Sequence, residues 1–165
     1  MVKAKILFVC LGNICRSPLA EAIFKDRLRR HGLAGYFEAD SCGTSNYHIG
    51  DLPDPRTIAN AKKNGVSIEH FGRQLCTNDL EAYDYILAMD RSNYENILKI
   101  ANAQQYSGKV ALMRTYDPQG GEEVPDPYYG GEPHFQKVFD ILERSMEYFI
   151  RHLEEKYGVK RVAQH

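Results

Sequence analysis

The 165 residues predict an α/β fold, a single domain on a four-stranded, doubly wound parallel sheet with helices on both faces. Three observations lead there. Short apolar runs alternate with helix-forming stretches along the chain. The first run, Ile6-Leu7-Phe8-Val9, is apolar at every position, as in a strand buried on both sides. No repeat, low-complexity tract or linker interrupts the pattern, and the length suits one sizeable core over residues 1–165.

The elements follow in order. Lys3–Val9 reads as the first strand and Pro18–His31 as the first helix, with Ser17 as cap and Pro18 at the first helical position. Leu19, Ala22 and Ile23 share a face of that helix. The stripe is imperfect: strict spacing continues it to Asp26 and Arg30, and leaves Phe24 and Leu28 off it. A second strand is expected over Tyr36–Ser41. Asp54-Pro55 should open a helix ending near Asn64-Gly65, and Thr77-Asn78-Asp79 a brief one. Tyr85–Met89 reads as the third strand, then a helix from Asp90 to about Gln105, then Val110–Met113 as the fourth strand. Arg114–Pro133 is a long loop with four Gly and four Pro, and long ordered loops are often functional. Phe135–Lys156 reads as the closing helix, with Val138, Leu142, Met146, Phe149 and Leu153 at core spacing. Residues from about 157 to 165 are expected to fray.

Composition narrows the function. With 21 basic and 22 acidic residues the formal net charge is -1, which gives no sign of a nucleic-acid or membrane partner. No stretch approaches the roughly 18 apolar residues of a membrane span. Met1-Val2-Lys3-Ala4-Lys5 reads as the approach to a strand, not as a secretion signal. Cys10, Cys15, Cys42 and Cys76 contain no Cys-x2-Cys pair. That argues against zinc and fits reduced thiols in a cytoplasm.

The chemistry centres on Cys10-Leu11-Gly12-Asn13-Ile14-Cys15-Arg16-Ser17-Pro18, between the first strand and the first helix. A loop in that setting points backbone N–H groups inward as an anion nest, and the helix start adds its positive end. Gly12 should permit a conformation that a larger residue would resist, and Asn13 tolerates the left-handed region and can brace the loop. Such a nest favours the thiolate of Cys10 over an inert buried thiol. Arg16 opposes the helix dipole as a surface residue, but its planar fork suits two oxygens of a tetrahedral oxyanion. The result is a phosphate cradle with a sulfur nucleophile at its base.

This stretch resembles the low-molecular-weight protein tyrosine phosphatases, and the similarity runs from about Lys3 to about Leu153. The resemblance implies a metal-independent, cofactor-free hydrolase acting through a phosphocysteine on Cys10. Asp126 of Asp126-Pro127-Tyr128-Tyr129, otherwise an ordinary turn residue, matches the family's general acid/base. Tyr128, Tyr129 and Tyr47 would wall the slot for a substrate ring; many relatives carry Trp where this chain has Tyr47. Relatives that dephosphorylate arginine carry a smaller, β-branched polar residue at the position of Leu11 and lack the paired tyrosines. Leu11 therefore points to phosphotyrosine. Cys15 would be a resolving thiol for oxidised Cys10, or only a packing residue. Asn13, Ser17, Ser41 and His70 correspond to a hydrogen-bond network that shapes the loop, although His70 alone could be a surface histidine. Asp90 either orients Arg16 or caps its helix. The expected partners are phosphotyrosine proteins and, by resemblance, a cognate tyrosine kinase; the paired tyrosines of relatives can be phosphorylated, but no kinase is deducible from this chain. The chain would be a monomer or a weak homodimer through Tyr128-Tyr129.

Two rivals are weaker. Arsenate reductases on the same fold relay a disulfide through two further cysteines near the third strand. Here that region, Tyr83–Met89, has none. A non-hydrolysing phosphate- or phosphotyrosine-binding module would not need Cys10, Arg16 and Asp126 together.

Overall fold

The computed structural model describes residues 1–100 and 103–162. Its parallel strands are β1 (Ala4–Cys10), β2 (Phe37–Gly43), β3 (Tyr85–Ala88) and β4 (Val110–Leu112), in the spatial order β2-β1-β3-β4. The helices are α1 (Arg16–Arg30), α2 (Pro55–Lys63), α3 (Thr77–Ala82), α4 (Arg91–Leu98) and α5 (Glu132–Tyr157). No described helix is long and apolar enough to cross a membrane.

β1 is central because its side chains alternate between two cores. Ile6 and Phe8 pack with α1 and α5, while Leu7 and Val9 pack with Leu80, Ile86 and Ile97 on the other face. The sheet thus carries helices on both faces. After β1 the chain crosses to β2 on one side, and after β3 it crosses to β4 on the other. The carboxyl ends of β1 and β3 therefore flank the crevice where ligands bind in open α/β sheets.

α1 departs from its predicted form. It starts at Arg16 and takes Ser17 into the first turn, so Ser17 is no cap; Cys15 holds that position without a side-chain bond. Pro18 stays in the first turn, where its missing N–H costs nothing. Phe24 and Leu28 are fully buried although they lie off the ideal stripe, because α1 packs against α5 as well as against β1 and β2. Asp26 is buried too, held by Arg27, Arg29 and Arg30.

α4 ends at Leu98, short of Gln105. A 3-10 stretch occupies Ala103–Lys109, and residues 101 and 102 of the predicted helix lie outside the described residues. The long loop is partly structured: Met113–Tyr116 is a 3-10 turn, and α5 begins at Glu132. All five predicted core positions of α5 are buried, and Phe149 meets Phe24, Tyr85 and Tyr116 at ring separations of 5.8, 5.5 and 4.8 Å. The end expected to fray is docked as far as 162. Val159 is buried, Val162 N donates to His31 O at 2.7 Å, and Arg161 pairs with Glu154 and Glu147. The rest of that expectation, residues 163–165, lies outside the described residues.

Asp117 ties the base of the long loop to α5. It accepts from Arg144 Nε at 2.8 Å, Arg114 Nε at 2.9 Å and Gln119 N at 2.9 Å. The Arg144 hydrogen bonds do most to lower its pKa, to about 2. A depressed carboxylate contributes stability above its unfolded pKa and loses it as pH falls through the folded value, so the window here is about pH 4 to 2. Asp117→Asn is expected to cost roughly 2 kcal/mol at neutral pH. Melts at pH 7 and pH 2.5 should show the gap to wild type narrowing in acid; a constant gap would mean that packing, not charge, is the cause.

Candidate active site

Cys10 ends β1 and is 3% exposed, with its sulfur facing its own loop. Ser17 Oγ lies 2.9 Å from Sγ, and Asn13 N donates to Sγ at 3.3 Å. Ser17 Oγ is also 3.3 Å from Cys42 O, and it accepts from Asn13 Nδ2 at 2.8 Å. Its single proton has a shorter route to the sulfur than to the Cys42 carbonyl.

Asn13 is the hub of the loop. Its Nδ2 also donates to Ser41 Oγ at 3.1 Å, and its Oδ1 accepts from His70 Nε2 at 2.7 Å and Arg73 N at 3.0 Å. One buried amide thus ties the loop to α1, β2 and the segment after α2. Its φ is 58°, so Asn13, not Gly12, takes the left-handed conformation. Gly12 has a different reason to be small: a Cβ there would lie 3.2 Å from the His48 ring. Gly43 is more tightly constrained, since a Cβ would sit 2.6 Å from Leu11 O. The end of β2 presses directly on the loop, and a side chain there would force it open.

Asn13→Gly should lose these buried hydrogen bonds at about 2–4 kcal/mol. Asn13→Ala should lose about 1 kcal/mol more, because alanine resists φ 58°. Urea melts should therefore rank wild type above Gly and Gly above Ala. Alanine as stable as glycine would remove the backbone argument.

Arg16 is 3% exposed, in the first turn of α1. Nη1 donates to Asp90 Oδ2 at 2.7 Å and to Val124 O at 3.0 Å. Nη2 lies 3.6 Å from Asp126 Oδ2. Burial acts to lower the Arg16 pKa, but the negative charges of Cys10, Asp90 and Asp126 outweigh it and raise the value. Asp90 has both suggested tasks, one for each oxygen: Oδ2 holds Arg16, and Oδ1 caps α4 by accepting from Asn93 N at 2.7 Å. Val124 anchors the acid loop, because its N–H donates to Met89 O at 2.8 Å while its carbonyl holds Arg16.

Asp126 is half-exposed, and its Oδ1 accepts from Tyr128 N at 3.0 Å. Cys10, Leu11, Gly12, Ile14, Cys15, Arg16, Tyr47, His48, Asp126, Tyr128 and Tyr129 line one cavity of about 330 Å³. The Tyr128 and Tyr129 rings meet edge to face at 5.0 Å, and the Arg56 guanidinium lies 5.5 Å from the Tyr128 ring centre. Tyr47 and Tyr129 are exposed at the mouth. Cys15 is buried on the loop's inner side; burial pushes its thiol up to about 12, the Asp54, Cys10 and Asp126 charges add to this, and the Thr57 hydroxyl opposes it.

Ser41 Oγ donates to Glu21 Oε1 at 2.7 Å. The His70 side chain is 7% exposed, so it is no surface histidine. Sequence reading missed Gly43, Val124, His48, Glu21 and Arg73. Val124 left a signal as the lone aliphatic residue in the polar run Gly120–Asp126, and Gly43 stood in the Ser-Cys-Gly-Thr stretch. Arg73 stood in the stretch His70-Phe71-Gly72-Arg73, which is similar to a His-x-Ala-Arg stretch of the family, and Glu21 left none, since its partners are remote in sequence.

Comparisons with known proteins concern the chain as a whole. The family profile described as low molecular weight phosphotyrosine protein phosphatase matches residues 5–160. A homologue from Synechocystis sp. is 49% identical over 140 residues, covering 84% of this chain and 89% of the relative. The low molecular weight phosphotyrosine protein phosphatase of Schizosaccharomyces pombe is 44% identical over 149 residues, covering 89% and 95%. A crystal structure of a protein tyrosine phosphatase from Entamoeba histolytica superposes with a TM-score of 0.89 at 42% identity, covering 93% of this chain and 99% of that one. With the family profile matched over residues 5–160 and the fold shared with a solved tyrosine phosphatase, the chain belongs to the low-molecular-weight phosphotyrosine protein phosphatase family.

Proposed function

We propose that this chain hydrolyses phosphotyrosine on proteins, using Cys10 as nucleophile, Arg16 as phosphate clamp and Asp126 as general acid and base. The observation that carries the reading is the convergence of these three groups on one tyrosine-flanked cavity. The Cys10 thiolate, with Ser17 beside it, attacks phosphorus in line. The Arg16 fork, braced by Asp90 and Val124, holds equatorial oxygens together with the loop amides. Asp126 gives its proton to the departing phenol oxygen. As a carboxylate it then takes a proton from water, which cleaves the S–P bond, frees phosphate and returns the thiolate. Both steps use protein groups and water alone.

Leu11 at the lip, with Tyr47, Tyr128 and Tyr129, favours an aromatic leaving group over arginine. The reading includes a reducing compartment such as the cytoplasm, a cognate tyrosine kinase, and a monomer or weak dimer. The arsenate relay finds no support, since α3 and β3 carry no cysteine. The test is turnover of phosphotyrosine, phosphoserine and phosphoarginine peptides in reductant and EDTA. Phosphotyrosine should be preferred in kcat/KM by about 100-fold or more. Absence of turnover would leave a phosphate-binding module.

Cys15 is proposed as the resolving thiol. Peroxide converts the Cys10 thiolate to sulfenic acid, and Cys15 displaces its hydroxyl as water to close a disulfide. Cys15→Ser should be inactivated by peroxide as readily as wild type, yet recover severalfold less activity in dithiothreitol. Equal recovery would leave Cys15 a packing residue.

A further inference from the structure

Arg114 stands in the 3-10 turn that follows β4 and sends its guanidinium forward into the turn 117–123. Nη2 donates to Gly120 O at 2.7 Å, Nη1 to Glu123 O at 3.0 Å, and Nε to Asp117 Oδ2 at 2.9 Å. Its side chain is 17% exposed, and that of Asp117 is fully buried. The turn closes tightly round the planar fork: a Cβ on Gly121 would lie 2.6 Å from Arg114 Cζ. Gly120 and Gly121 have φ of 77° and 98°, a backbone course that favours glycine. One side chain thus serves two backbone carbonyls and a buried carboxylate.

The clamp ends where the catalytic part of the loop begins. Val124 follows Glu123; its N–H donates to Met89 O at 2.8 Å, and its carbonyl accepts from Arg16 Nη1 at 3.0 Å. Two residues further on, Asp126 Oδ2 lies 3.6 Å from Arg16 Nη2. Among the described residues the Asp126 carboxylate makes polar contacts only with Arg16 and with the N–H of Tyr128. Its aim is therefore set mainly by the backbone that carries it. The turn has an outer tie as well, in which the Arg91 side chain reaches Glu122 at 2.6 Å and Arg91 N reaches Glu123 Oε2 at 2.9 Å. The Arg91 and Glu122 side chains are exposed, and exposed pairs hold little. The half-buried Arg114 contacts are the stronger constraint.

Resting on the phosphatase reading, we propose that Arg114 is a positioning residue for the catalytic acid. By gathering the Gly120 and Glu123 carbonyls from the end of β4, it fixes the path of the chain into Val124, and with it the place of Asp126 over the bound phosphoester. Arg114 lies outside the catalytic cavity and touches no reacting group. Without its guanidinium both carbonyls lose their donor, the turn relaxes, and the carboxyl spends less time within reach of the departing phenol oxygen. Misplacement by an ångström is enough to slow a proton transfer that depends on reach.

The test compares kcat and KM on a phosphotyrosine peptide and on p-nitrophenyl phosphate for wild type, Arg114→Gln and Gly121→Ala. The alanine pushes the guanidinium aside but keeps its charge. Both variants should lose kcat by about 10- to 100-fold on the peptide, with KM within about threefold. The loss should be smaller on p-nitrophenyl phosphate, whose leaving group needs the acid less. Added to Asp126→Asn, Arg114→Gln should lower kcat by less than about threefold, because the aim of a missing acid no longer matters. Arg144→Gln controls for loosening of the fold, since it unties Asp117 from α5 and spares the two carbonyls. It should lower the melting temperature as Arg114→Gln does, yet keep kcat within about twofold of wild type. Wild-type kcat in both Arg114→Gln and Gly121→Ala would overturn the proposal and leave the phosphatase reading intact. So would a full loss repeated on top of Asp126→Asn, or an equal loss in Arg144→Gln. A wild type that turns over neither substrate would overturn both.

Discussion

A Cys10→Ser variant is expected to lose phosphatase turnover by about 10⁴-fold or more while still folding and binding phosphate. The hydroxyl is nearly isosteric with the thiol, so the contacts from Ser17 and Asn13 persist. What disappears is a nucleophile that can ionise in the nest and later leave from phosphorus. Arg16, Asp90 and the loop amides stay, and the oxyanion site they form should hold inorganic phosphate about as well as in wild type. The measurement pairs steady-state turnover of p-nitrophenyl phosphate with a phosphate titration by calorimetry. Turnover near wild type would end the phosphocysteine mechanism. Loss of both turnover and binding would mean that the substitution had broken the loop.

Asp126→Asn should lower kcat by about 10² to 10³, with a smaller change in KM. The carboxyl acts on a proton in flight, not on the bound phosphate, so the loss belongs to the transition state. The variant should also lose the limb of the pH profile that reports the acid. Leaving-group dependence sharpens the test. A tyrosine phenol, with a pKa near 10, needs protonation more than nitrophenol does, so phosphotyrosine should suffer more than p-nitrophenyl phosphate. Equal losses on both substrates would place the acid elsewhere in the long loop. Asparagine also removes the negative charge 3.6 Å from Arg16 Nη2, so a modest gain in phosphate affinity is expected.

Much of this was legible along the chain because the signals are local. The apolar run before Cys10 and the helix-forming run after it define the strand–loop–helix. Asp54-Pro55 announced the α2 start, where Asp54 Oδ1 accepts from Arg56 N at 2.9 Å. The α5 stripe announced its buried face. The misplaced details are those in which a neighbour in space outweighs a local preference. Ser17 is a favoured cap residue by type, yet its hydroxyl is drawn inward by Cys10 and Asn13. Phe24 and Leu28 lie off the ideal stripe, yet a second packing surface buries them. The tail looked free, yet Arg161 finds two glutamates on α5.

Short-range preferences in the residue order were enough for the sheet class, the order of elements and the cradle with its thiol, because strand, loop and helix each draw on neighbouring residues. They could not decide which distant groups close the site. Val124 meets Arg16 only because β3 lies beside β1 and Met89 pins the acid loop by a backbone hydrogen bond. Asn13 takes its strained φ only because Ser17, Ser41, His70 and Arg73 satisfy its amide from separate parts of the chain. Gly43 is required only because β2 ends against Leu11. The same assembly brings Glu21 and Asp40 against His70. Hydrogen bonds and close contacts act at a few ångströms, and only the folded sheet brings those groups within that range.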